Sequence, residues 1–195
     1  MESPSSVNII GLQQTNLSYM LKQRYQLFIL VRHAERADDP SIPTEIRKHP
    51  SNDVIVDFDP QLSRPNGKDQ AIKTAQFLRN KLEKQMAPDG TGVDLTQAEV
   101  FLFSSPFLAC IESASALAKE FKVKTINVQD QLVDTLMKGW FPDDPFTGLS
   151  TKLTNNKDKF TNFLKTQYDV PELTLEYKRA NSVVYPETVD GTNKR

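Results

Sequence analysis

The unbroken apolar run at 27–31, Leu-Phe-Ile-Leu-Val, stops abruptly against Arg32-His33. A short continuous run with β-branched members has the pattern of a strand buried on both faces, which predicts an α/β fold. Open α/β sheets collect their ligand chemistry at the carboxyl ends of their strands, and here such an end would deliver a guanidinium and an imidazole. Arginine offers planar, permanently charged donors suited to phosphate, and histidine can act as a nucleophile near neutral pH. On position alone, the blander account is the better one: a single strand-end histidine satisfied by a nearby carbonyl.

The chain beyond this point alternates helical and strand patterns. The segment from 37 to 60 is long, rich in Pro, Asp and Ser, and carries little periodicity; His49 within it reads as solvated and not catalytic. From Lys68 to Met86, Ala71, Ala75, Leu78, Leu82 and Met86 recur at spacings of three and four, predicting an amphipathic helix that packs on the sheet. Ala87-Pro88-Asp89-Gly90 is a turn. Val-Phe-Leu-Phe at 100–103 predicts a second buried strand, opening onto Ser104-Ser105-Pro106 and a helix through Phe121. Ser105 is the expected N-cap of that helix, with Pro106 at its first position. A third strand is expected at 124–128. Residues 156–168 place Phe160, Phe163, Leu164 and Tyr168 on one helical face. The aromatic stretch Gly139-Trp140-Phe141-Pro142-Asp143-Asp144-Pro145-Phe146 fits either a lid beside a pocket or a patch that faces a partner.

Composition narrows the function classes. The chain has 195 residues, enough for one domain with a core of its own, and a formal net charge of -1. With a pI near 6.1 there is no basic field for a polyanion, so nucleic acid is not an expected partner. The single Cys110 excludes an internal disulfide framework and suits a reducing compartment; it reads as a small buried apolar residue. No apolar run is long enough to span a bilayer, and the polar opening with Glu2 does not read as a secretory signal. The expected location is cytoplasmic.

Four groups of residues, in order, carry a family resemblance. Val31-Arg32-His33-Ala34-Glu35-Arg36 closely resembles the Arg-His-Gly/Ala motif of the histidine phosphatase (phosphoglycerate mutase-like) superfamily, and with Asp38 looks most like its eukaryotic protein-phosphatase-like branch. Leu62-Ser63 followed by Gly67 and Gln70-Ala71 resembles the family's Leu-Ser/Thr-x-x-Gly-x-x-Gln-Ala segment, with one extra residue before the glycine. Ser104-Ser105-Pro106 matches the family turn, but the phosphate-gripping arginine three residues past the proline is here Ala109. Tyr185-Pro186-Glu187-Thr188 resembles the family's Tyr/Phe-Pro-Glu-Ser/Thr element. The resemblance spans roughly residues 26–195.

What the resemblance implies can be stated residue by residue. The fold would be three layers, a mostly parallel sheet with helices on both faces, over a domain at 25–195; the polar residues 1–24, which precede the first core strand, read on their own as an N-terminal arm, either a frayed terminus or surface helix or a docking segment. His33 would take the phosphoryl group, Arg32 and Arg36 would neutralise its oxygens, and Asp134 would serve as acid and then base, with an ordinary helix-start carboxylate as its alternative reading. No metal or cofactor is required. Relatives carry a second catalytic histidine at the end of a later core strand, whereas no histidine follows His49 here. The domain is therefore expected to lack its last core strand, leaving a sheet edge for another chain to cover, for a longer natural polypeptide to complete, or for a rearranged sheet to absorb. Loss of one preorganised donor typically costs ~10²–10³ in rate. The expectation is a catalytically impaired histidine phosphatase-like protein that binds a phosphate or phosphoester and acts as a binding or structural subunit of a larger assembly. The alternative is an active phosphomonoesterase with a phosphohistidine intermediate on His33; a small-molecule phosphomutase is a third, weaker reading.

Overall fold

The longest helix among the described residues begins where a nearby side chain accepts from its free amides. In the computed structural model, which describes residues 26–38, 59–85, 92–134, 136, 138–139, 141, 143–180, 183 and 185–186, helix α1 runs Asn66–Gln85. The Ser63 hydroxyl accepts from Gly67 N at 2.8 Å, and the Ser63 carbonyl accepts from Lys68 N at 3.2 Å, so one residue satisfies two of the amides a helix start leaves open. Ala71, Ala75 and Leu82 form its buried stripe and pack on helix α2, Leu108–Phe121. Small alanines on that stripe let the two helices approach closely.

Strands β1 (Leu102–Ser104), β2 (Thr125–Val128) and β3 (Thr174–Tyr177) form a parallel sheet in the order β1-β2-β3. Parallel neighbours need crossovers. α2 makes the first, and the second contains helices α3 (Pro145–Leu153) and α4 (Lys157–Tyr168). Leu102 pairs with Ile126 and Ile126 with Leu175; Ser104 pairs with Val128 and Val128 with Tyr177. This register puts one set of alternating residues on a single face, where Ile126, Val128 and Leu175 join Leu108, Ile111, Phe160 and Leu164 in the main core. Each of these fully buried side chains contributes roughly 1.5–3 kcal/mol relative to exposure. The intervening residues, Phe103, Asn127 and Glu176, lie on the other face, where Phe103 is 58% exposed. The protein is thus α/β, with a small parallel sheet whose described helices gather on one side.

The chain divides into two units, Met1–Val31 and Arg32–Arg195. Of the first, residues 26–31 are described; they have no regular secondary structure, and Leu30 is 99% exposed. The buried strand expected at 27–31 is not formed: an apolar run becomes a strand only when a neighbouring strand accepts its amides. The second expected strand starts two residues late and ends one residue late, and Phe101 and Phe103 are exposed instead of buried. Strand β3 lies outside the strands that the sequence pattern predicts. Of the aromatics after Gly139, Phe146 is buried, and Phe141 packs against Phe107 and Tyr185 at centroid distances of 6.1 Å. That settles Phe141 and Phe146 against a partner-facing patch, while Trp140 lies outside the described residues. So do the arm at 1–24, His49, Glu187 and Thr188.

Candidate functional site

The segment carrying Arg32, His33 and Arg36 is held from below by two helices. Ala34 N donates to the Ser113 hydroxyl of α2 at 3.1 Å, and Glu35 N donates to Gln70 Oε1 of α1 at 2.8 Å. Ser63 N donates to the Glu35 carbonyl and Ala37 N to the Gln61 carbonyl, both at 2.9 Å, closing a short antiparallel bridge between Arg36 and Leu62. The Ser63 hydroxyl donates to the Glu35 carboxylate. Gly67 is required here because a Cβ would collide with the Glu35 carbonyl oxygen. The amides of residues 34, 35 and 37 are all engaged, so the charged groups that this loop offers an anion are its side chains.

Those side chains are placed as follows. His33 is half-buried, and its Nδ1 lies 2.8 Å from the Ala34 carbonyl oxygen. A carbonyl only accepts, so Nδ1 carries the proton and the neutral ring presents the lone pair of Nε2. Arg32 is exposed. Arg36 is exposed and paired with Asp38, Nε to Oδ1 at 2.8 Å and Nη2 to Oδ2. That hydrogen bond, with the nearby Asp59 charge, holds the guanidinium above its ordinary pKa. Asp134 sits on a different segment, exposed, just past a single 3₁₀ turn at Asp130–Leu132.

Beneath the loop lies a polar layer that the sequence did not reveal. Asp59 and Lys152 form an ion pair with both side chains buried; Asp59 Oδ1 also accepts from Leu108 N at 2.6 Å, and Lys152 Nζ donates to the Pro106 carbonyl at 3.1 Å. The expected capping of α2 is therefore different. The helix starts at Leu108 with Phe107 as N-cap, whose side chain makes no capping bond, while Asp59 supplies the carboxylate from a distant loop. The Ser105 hydroxyl has no hydrogen-bond partner among the described residues. Cys110 lies nearby, its thiol pushed up to about 11 by burial and by the Asp59 charge, so it is no nucleophile at neutral pH.

Glu112, fully buried, accepts from Leu62 N at 2.6 Å, from Arg64, and from the Tyr168 hydroxyl at 3.2 Å. Burial pushes its carboxyl above the ordinary value despite the opposing Arg64 charge. Ala109, 3% exposed, offers only its carbonyl, which accepts from the Ser113 hydroxyl that in turn accepts from Ala34 N. Position 109 is thus tied to the loop through one hydroxyl, and it brings no charge.

At the carboxyl ends of β2 and β3 lies a third buried acid, Asp130. Asp130 Oδ2 accepts from Arg179 Nη1 and from Ala180 N, both at 2.8 Å, and Arg179 stacks 3.9 Å above the Phe146 ring. Burial and the Asp130 charge push the Tyr177 hydroxyl up to about 12. The 49-residue separation of Asp130 and Arg179 gives no local signal. Among the described residues, no group of three or more His, Cys, Asp or Glu could hold a metal ion, and no helix is long and apolar enough to cross a membrane. An open groove of about 590 Å³ lies along α1, lined by Glu35, Asn66, Asp69, Gln70, Lys73, Thr74 and Phe77; His33 does not line it.

Compared with family models, curated proteins and solved structures, the chain finds no match in any of the three.

Proposed function

We propose that this protein is a histidine phosphatase-type α/β domain that binds a phosphoryl group on Arg32, His33 and Arg36 and is impaired in turning it over. The observation that carries the reading is Ala109. It lies one hydroxyl away from the amide that follows His33, and where the resembling family has an arginine it presents a methyl group. Two guanidiniums and an imidazole on one braced loop suffice to hold an anion. A transferring phosphoryl group develops charge that a third preorganised cation would stabilise, and its loss costs ~10²–10³ in rate. The finer architecture belongs to the same proposal: a three-layer sheet with helices on both faces, completed by a protein partner, in a cytoplasmic subunit.

One observation favours the active alternative. The Nδ1 bond to Ala34 leaves Nε2 with its lone pair, as a nucleophile requires. Nε2 would attack phosphorus as the ester P–O bond breaks, Asp134 would protonate the departing oxygen, and water deprotonated by the same carboxylate would then hydrolyse the phosphohistidine. Phosphoenzyme trapping separates the two readings. Protein and a His33→Ala variant are incubated with a labelled phosphoester, quenched in alkali and assayed for acid-labile label. No label on folded protein that still binds phosphate is expected. Label on the parent and none on the variant would replace the impaired reading with the active one.

A further inference from the structure

We propose that the groove along α1 takes the residues flanking the phosphorylated position of a polypeptide, matching a cation near its loop end and an apolar side chain at its far end. The inference rests on the phosphoryl-binding reading of the adjacent loop. Asn66, Asp69, Gln70, Lys73, Thr74 and Phe77 occur at helical spacings of three and four, forming one stripe opposite the Ala71, Ala75 and Leu82 stripe that α1 buries.

The groove starts at the loop itself. Glu35 is two residues from His33 and lines the groove, while its amide is bonded to Gln70. Moving away from that end, the stripe passes Asp69, then Lys73, and finishes at Phe77, which is 59% exposed. From Asn66 to Phe77 the helix rises about 16 Å, the span of roughly five extended residues. None of Arg32, His33 and Arg36 lines the groove, so its occupant has to extend past the phosphoryl group on the loop, and the length suits a polypeptide.

Charge sets the register. Glu35 and Asp69 place two carboxylates beside the loop, where they would repel an acidic flank and attract Lys or Arg. Phe77 already carries Lys81 over its ring at 5.9 Å, so its remaining face offers apolar contact. The two ends select different chemistry, which fixes the direction in which a ligand's cation and apolar residue must follow its phosphate.

The test is fluorescence anisotropy on the whole chain with labelled phosphothreonine peptides. One pair carries Arg within two residues of the phosphothreonine and Leu about four residues along, on the amino or the carboxyl side. A matched pair has Glu and Ser in those places. One Arg/Leu peptide is expected to bind about tenfold more tightly than its match. The preference is expected to vanish in Asp69→Lys and in Phe77→Ala, both exposed positions whose folding circular dichroism checks, with affinity for inorganic phosphate unchanged. Equal affinities for all four peptides, or a preference that survives both substitutions, would overturn the groove and leave the phosphoryl pocket standing. An unphosphorylated Arg/Leu peptide that binds equally well, and is not displaced by inorganic phosphate, would retain the groove and overturn the pocket.

Discussion

The guanidinium assigned to phosphate is already engaged by a carboxylate two residues away. Arg36 and Asp38 are both exposed, so their pairing is worth at most about 1 kcal/mol. An anion at Arg36 must displace or share that partner. Asp38→Asn is therefore expected to tighten phosphate binding about two- to fivefold, measured by calorimetry at low ionic strength; an unchanged affinity would remove Arg36 from the site. Arg32, His33 and Arg36 could be proposed as a group from the sequence because they lie within one short segment, and a braced loop needs no long-range knowledge to be suspected. Asp59 and Lys152 are 93 residues apart, and neither type is expected inside a core until its partner is known. Ala109 was legible only as a departure from a pattern, and the hydroxyl that joins it to the loop emerged from the fold.

At the scale of elements, periodicity served where a repeat was long enough to be counted. Helix α1 forms over Asn66–Gln85 against an expectation of 68–86, and α4 over Lys157–Tyr168 against 156–168. Strand β3 has only Thr-Leu-Glu-Tyr, too short for its alternation to stand out. The run at 27–31 misled for the opposite reason: its pattern was strong, but a strand requires a neighbour and the run names none. Both C-terminal ends fall where the periodicity stops, at Phe121 and Tyr168, although the left-handed caps that follow are on residues other than glycine, Lys122 at φ 56° after α2 and Asp169 at φ 54° after α4. Lys122→Gly relieves that conformation on an exposed side chain and is expected to raise stability by about 1 kcal/mol in urea denaturation. Lys152→Met strands the Asp59 carboxylate in the core at a cost of ~3–5 kcal/mol, part of which Asp59→Asn in the same chain should restore. A loss within a few tenths of a kcal/mol would mean that the pair is dispensable.

Across the whole molecule, Glu112 connects three regions, the 62–64 loop, α2 and Tyr168 of α4, and does so as a carboxyl held above its ordinary pKa. The folded protein then binds that proton more tightly than the unfolded chain. Its contribution is present below the ordinary glutamate value of ~4.3 and is lost as pH rises through the higher folded value. The stability of the parent relative to Glu112→Gln should fall as pH is raised from 4 to 7, with urea midpoints as the readout. A pH-independent difference would show that Arg64 fully compensates the burial. The ladder order β1-β2-β3 also bears on how the molecule is made. None of its pairs is a hairpin: Leu102 waits for Ile126, and Ile126 for Leu175. Closing such loops precedes any reward from the contacts they bring together. During synthesis the sheet cannot be completed until Tyr177 has left the ribosome, so α3 and α4 are available to pair with each other before β2 acquires its second neighbour. Slow, late sheet closure, with helices formed early, is the folding order this topology imposes.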